Sequence, residues 1–200
     1  MGIDKLCLTT HEMVKADYLR EFWTVTEDLY RSRLFKYFCE MDYAQVMWKP
    51  HKFSAETNMR IPYSKIDVNP KHFDCFQYLC EYVRNIFNDK LDLEYTNVSR
   101  IDLTADIENL PMDVVFSRLH VPGFSRDSLS LYKGTIYIGS NPKIRIYDKT
   151  KEIKQRQKKG WHITEWERGI LESEKQITRF EIQLNNFKGC LKDVVENPVS

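Results

Sequence analysis

The sequence predicts an α+β fold: an antiparallel sheet with helices packed on one face, and a polar face left open to carry the site. Three observations lead there. The run Arg100-Ile101-Asp102-Leu103-Thr104-Ala105-Asp106-Ile107 alternates polar and apolar without a fault. As a strand it turns Ile101, Leu103, Ala105 and Ile107 to one side and Arg100, Asp102, Thr104 and Asp106 to the other. The same period of two recurs twice. Ile144 and Ile146 oppose Lys143, Arg145, Tyr147 and Lys149, and Phe180, Ile182 and Leu184 oppose Arg179, Glu181 and Gln183. Finally, such strands recur between separated helical stretches, which suits an antiparallel sheet covered by helices.

Taken in order, Ile3 to Thr9 reads as a short apolar strand, and His11 to Phe38 is weakly helical in pattern. A second strand is expected near Met59 to Ile66. Asn69 can cap a helix and Pro70 suits its first position; Phe73, Phe76, Cys80, Val83 and Phe87 then follow at spacings of three and four, with Asn88-Asp89 as the stop. After the Arg100 strand, Pro111 opens a short helix that buries Met112, Val115, Phe116 and Leu119. Gly134 to Gly139 and Lys143 to Lys149 are strands joined by Ser140-Asn141-Pro142, short enough for a hairpin. Gln176 to Leu184 is the last strand. The four strands from Arg100 onward are expected to share one sheet, with the Pro70 to Phe87 helix on its apolar face.

Composition bounds the class. The chain has 200 residues, 42% hydrophobic and 13% aromatic, with a formal net charge of +1. Intrinsic disorder requires few aromatics and a large net charge, so it is excluded. The length suits one domain, or two small ones, and is enough to bury a real core. No run approaches the roughly 20 apolar residues of a membrane-spanning helix. Met1-Gly2-Ile3-Asp4-Lys5 does not read as a signal peptide, and Leu6 stands where a myristoylation signal needs Ser or Thr. A soluble cytoplasmic protein with no membrane partner is the expectation. The five cysteines (Cys7, Cys39, Cys75, Cys80, Cys190) form no C-x-x-C and read as buried thiols. The histidines form neither H-x-H nor H-E-x-x-H, which argues against a zinc hydrolase.

The polar strand faces hold the chemistry. Asp102, Asp106, Tyr147 and Glu181 fall on the side that does not meet the helices. Carboxylates on two strands suit a hard cation such as Mg²⁺ or Mn²⁺. Arg145 and Lys149 flank a tyrosine that could attack a phosphodiester, their charges positioning the phosphate and favouring the phenolate. Charge is also uneven. Between Lys143 and Gly160 lie Lys143, Arg145, Lys149, Lys151, Lys154, Arg156, Lys158 and Lys159 against only Asp148 and Glu152, so a near-neutral chain contains a basic segment suited to phosphate. The bland alternative is a solvated sheet face followed by a solvated helix.

The ordered run Gly134-Thr135-Ile136-Tyr137-Ile138-Gly139-Ser140, Arg145-Ile146-Tyr147-Asp148-Lys149-Thr150-Lys151-Glu152 and Arg179-Phe180-Glu181, preceded by the Arg100 to Asp106 strand, resembles the rolling-circle replication initiators of filamentous phages and of staphylococcal-type plasmids. The resemblance covers residues 97 to 188, and the stretch Gly160 to Lys175 is additional to the family pattern. It implies that residues 1 to 200 form one nicking domain of a longer initiator in the bacterial host cytoplasm. The implied activity is a metal-dependent endonuclease that nicks and rejoins one strand at an origin through a 5′-phosphotyrosine intermediate. By position, Tyr147 is the implied nucleophile, with Arg145 and Lys149 on the scissile phosphate. Asp102 and Glu181 are the implied Mg²⁺ or Mn²⁺ ligands, and Glu152 or Asp106 a third ligand or a base. Lys143, Lys151, Lys154, Arg156, Lys158 and Lys159 are expected to bind DNA. Expected partners are single-stranded or origin duplex DNA, a host helicase and polymerase, and a second copy of the chain. The competing expectation is a noncatalytic nucleic-acid binder using the same sheet face, with Tyr147 stacking a base.

Overall fold

The computed structural model describes residues 2–27, 34–51, 62–87, 91–120, 129–161, 163–186 and 189–196. The fold is mixed α+β, with antiparallel strand pairing. The chain divides into two compact units: Ile3–Ile101 with Asn185–Ser200, and Met1–Gly2 with Asp102–Leu184.

The first unit is built on β1 (Gly2–Thr10), β2 (Val25–Glu27), β3 (Phe35–Glu40), β4 (Ala44–Pro50) and β5 (Ser64–Val68), in the order β2-β3-β4-β5-β1. Alternate residues of β4 and β5 are buried, Ala44, Val46, Trp48, Ser64, Ile66 and Val68 among them. Among the described residues, the weakly helical reading of His11 to Phe38 holds only for α1 (Ala16–Phe22). Phe35 and Phe38 imitate a helical spacing of three, but β-forming residues around them pair with β4. The strand expected near Met59 begins at Ser64; Met59 to Ile61 lie outside the described residues. The long helix expected from Pro70 is interrupted. Asn69 does cap, its side chain accepting from the Lys71 N–H at 3.1 Å, but it caps a 3-10 turn, Pro70–His72. Phe73 is extended, and α2 runs only from Phe76 to Asn85. The Asn88-Asp89 stop lies outside the described residues.

Three of the cysteines, Cys7, Cys39 and Cys80, are buried thiols, whereas Cys75 is exposed and Cys190 half-buried. Burial pushes the Cys7 thiol up to about 12, with Asp67 adding to the shift, and that of Cys39 up to about 11. Both stay protonated at neutral pH and are poor nucleophiles.

The second unit is entered along β6 (Asn97–Glu108) and adds β7 (Leu129–Tyr132), β8 (Thr135–Ile138), β9 (Lys143–Asp148) and β10 (Ile177–Asn185), in the order β6-β10-β9-β8-β7. Sequence reading missed β7. Its hairpin to β8 turns on Lys133 and Gly134, both at positive φ (50° and 81°), the backbone that a two-residue hairpin loop demands. Ile136, Ile138 and Ile146 form an apolar cluster with Ile144 and Phe180, as the alternation requires. The helix on that cluster is α3 (Met112–Arg118), through Val115, Met112 and Leu119. It is not the Pro70 to Phe87 segment, which belongs to the first unit. Phe116, expected inside, is exposed, because a helix this short turns only one narrow stripe to the sheet.

The polar face is covered in part. The chain turns helical immediately after β9, giving α4 (Lys149–Lys158), and α5 (Glu165–Glu172) follows. Ile153 of α4 and Ile170 of α5 bury themselves against Ile177, which shares its side of β10 with Arg179 and Glu181. Helices thus meet the polar face at the Ile177 end of β10, where Arg179 and Glu181 are buried, while Asp106 stays exposed and Arg145 half-buried. Among the described residues no helix is long and apolar enough to cross a membrane.

Ile146 has no exposed surface to speak of, whereas Leu131 of β7 is 57% exposed. Ile146→Ala is expected to destabilise by about 2–5 kcal/mol, and Leu131→Ala by about 0.5 kcal/mol or less. Urea unfolding of the two variants measures the difference, and comparable losses would remove Ile146 from the core.

Candidate functional site

The sheet register builds the site. Arg179 of β10 lies opposite Tyr147 of β9, and Glu181 opposite Arg145. Directly opposed residues share a face, so these four side chains stand together. The Arg179 guanidinium grips Asp106 of β6 with two bonds, 2.6 and 2.7 Å, which puts Asp106 on the same face; Asp102 shares it by alternation. Tyr137 of β8 also belongs here, opposite Arg145, with the Lys143 ammonium 5.2 Å from its ring centre. The expectation that Asp102, Asp106, Arg145, Tyr147 and Glu181 share one side is met.

Their surroundings differ from the expectation. Asp102, Arg179 and Glu181 are only 3%, 3% and 1% exposed. Glu181 is ion-paired with Arg145. Glu181 of β10 and Asp106 near the end of β6 therefore each carry a guanidinium; Glu181 is buried and needs one, whereas Asp106 is exposed. The Arg145 Nε–H, by contrast, is buried with no hydrogen-bond partner among the described residues.

Lys149 does not flank Tyr147 on a strand. Asp148 ends β9 and caps α4, its carboxylate accepting from the Lys151 N–H at 2.8 Å, so Lys149 is already helical. The Lys149 ammonium contacts Glu152 at 2.7 Å and Glu167 at 3.0 Å. Arg156 pairs with the same two carboxylates, reaching Glu152 at 2.5 Å. Arg156, expected to bind DNA, is thus turned inward. Lys151, Lys154 and Lys158 are exposed at spacings of three and four, on the side of α4 opposite Lys149, Glu152 and Arg156. Lys159 is exposed as well. The helix separates the basic segment into inner counter-ions and an outer lysine stripe.

Glu167 was missed in the sequence, and so was its neighbour Trp166. The available signal was Thr164-x-x-Glu167, a capping box: the Thr164 hydroxyl accepts from the Glu167 N–H at 3.2 Å, and Glu167 accepts from the Thr164 N–H at 3.0 Å. The box starts α5 and fixes Glu167 beneath it. Trp166 then sits beside Arg179, with the guanidinium carbon 5.8 Å from its ring centre.

The phenol of Tyr147 is raised well above the ordinary tyrosine range. Burial is the main cause; Glu181 and Glu152 add to it, while Arg179 and Arg145 oppose it. The sequence expectation of a lowered phenol is overturned, because α4 and α5 desolvate the face. Arg145 itself is held charged: burial opposes the charge, but its bond to Glu181 outweighs that.

The carboxylates do not fit a divalent cation as they stand. Asp106 and Glu181 hold guanidinium groups, and among the described residues no group of three or more His, Cys, Asp or Glu could hold a metal ion. A cation at Asp102 and Glu181 would have to compete with Arg145.

Burial alone would raise Glu167, but the Thr164 N–H, Lys149 and Arg156 outweigh it and hold the carboxyl down at about 2, from an ordinary 4.5. A depressed carboxyl stabilises the fold above its unfolded value and loses that contribution as pH falls through its folded value. Stability is therefore expected to decline between about pH 4.5 and 2, and Glu167→Gln to flatten that slope. Urea midpoints measured across this window check it; an unchanged slope in the variant would separate Glu167 from the ion-pair cluster.

No protein-family model matches the chain, and no curated protein matches it.

Proposed function

We propose that this protein nicks and rejoins a DNA strand through Tyr147, as the resemblance to rolling-circle initiators implies. The observation that carries the reading is the placement of one tyrosine directly opposite Arg179 and two residues from Arg145, with Glu152, Asp102 and Glu181 around it. Guanidinium groups pair with phosphate oxygens in a fixed geometry, and the Arg145 Nε–H is a donor still to be used. In the proposed step the Tyr147 oxygen bonds to phosphorus as the bond to the 3′ oxygen breaks. The phenolic proton passes to a carboxylate, Glu152 in the role of base that the resemblance implies, and from it to the departing 3′ oxygen. The raised phenol makes that base necessary, because little phenolate exists at neutral pH. The phosphotyrosine ester conserves the bond for rejoining. Origin DNA, a host helicase and polymerase, and a second copy are the partners this role entails.

A noncatalytic nucleic-acid binder is the second reading, favoured by the carboxylates that already occupy Arg145 and Arg179. The two differ in covalency. Labelled at the 3′ end, random-sequence single-stranded oligonucleotides should yield a covalent adduct on a denaturing gel with the native chain and none with Tyr147→Phe. The variant loses one oxygen and should bind DNA as well as the native chain does. An adduct that survives Tyr147→Phe, or that maps to Tyr137 or Tyr132, overturns the assignment. Binding with no adduct favours the second reading.

The Mg²⁺ or Mn²⁺ requirement is part of the proposal and is tested separately. Excess chelator is expected to stop adduct formation while sparing most binding. Adduct formation undiminished in chelator would mean that the arginines alone neutralise the phosphate, with Glu181 staying on Arg145.

A further inference from the structure

Helix α5 brings two side chains to the covered face, and only one of them is accounted for by charge. Glu167 is the counter-ion of Lys149 and Arg156. Trp166 has no such duty. Its indole is 52% exposed, although tryptophan carries a large apolar surface that folding ordinarily removes from water. One side of the ring is taken by Arg179, which is held rigid by its two bonds to Asp106. The arginine beneath it is the one directly opposite Tyr147. An aromatic plate is therefore fixed at the edge of the site, backed by a cation and open to water.

We infer that Trp166 is a base-stacking residue, holding one nucleobase of a single strand whose backbone passes Tyr147. The inference rests on the nucleic-acid reading of this face but does not need the covalent step. A planar base is the partner that fits: it stacks on the exposed indole without a hydrogen bond, and the neighbouring guanidinium keeps a nearby phosphate in register. Trp161 is 59% exposed with the Lys159 ammonium 5.0 Å from its ring centre, but nothing links it to Tyr147, and it serves as the control.

Fluorescence anisotropy with a labelled oligothymidylate tests this. Stacking on an aromatic contributes about 1–3 kcal/mol per base, so Trp166→Ala should weaken binding by about 5–150-fold. Trp166→Phe should retain most of the affinity, and Trp161→Ala nearly all of it. The slope of log affinity against log salt should not change in Trp166→Ala, because no phosphate contact is lost. Stacking should also quench indole emission on binding, and Trp166→Phe should lose that quench. If the native chain binds tightly and Trp166→Ala binds equally, the stacking role fails while the nucleic-acid reading stands. A lowered salt slope in Trp166→Ala would also overturn it, assigning the loss to displaced Arg179. No binding by the native chain removes both.

Discussion

Once α4 and α5 close over the face that carries Tyr147, each ionised group beneath them has to find an opposite charge. Ile153, Ile170 and Ile177 make the closure favourable, because apolar area leaves water. The same closure withdraws water from the carboxylates. Arg179 answers Asp106, Arg145 answers Glu181, and Lys149 and Arg156 share Glu152 and Glu167. Removing one partner from such a pair strands a buried charge and commonly costs about 3–5 kcal/mol. Arg145, Lys149 and Arg156 therefore answer a folding requirement before any ligand arrives.

The turn at Asp148 decides where these charges go. Continuing β9 by one residue would have placed Lys149 beside Tyr147; capping a helix there sends it to Glu167 instead. Thr150 completes the junction, donating to the Lys175 carbonyl at 2.8 Å and accepting from the Ile177 N–H at 2.9 Å. Those bonds tie the first turn of α4 to the start of β10. A backbone decision at one residue thus sets both the burial of the phenol and the pairing of its neighbours.

Face membership was legible in the sequence because a strand has a period of two, and Arg100 to Ile107, Lys143 to Tyr147 and Arg179 to Leu184 keep it cleanly. What covers a face is not periodic. Trp166 and Glu167 lie in a segment whose only clear local signal is the Thr164 capping box, and that signal gives a helix start without its destination. The Pro70 helix failed for a related reason: Asn69 and Pro70 are true start signals, but a 3-10 turn uses them equally well, and an extended Phe73 then resets the chain. β7 was missed although Leu129-Ser130-Leu131 alternates, because four residues are too short a run to separate a strand from chance.

A phosphate that engages Arg145 has a consequence for Glu181. The guanidinium can serve both anions only while they stay within its fork; drawn fully to phosphate, it leaves a carboxylate with 1% exposure and no counter-charge. A second cation would then have to replace the guanidinium, because an unmatched charge at such depth is costly. The metal that the resemblance implies at Glu181 and the ion pair found in the fold would thus be two occupancies of one carboxylate. Phosphate at Arg145 is what would convert one into the other.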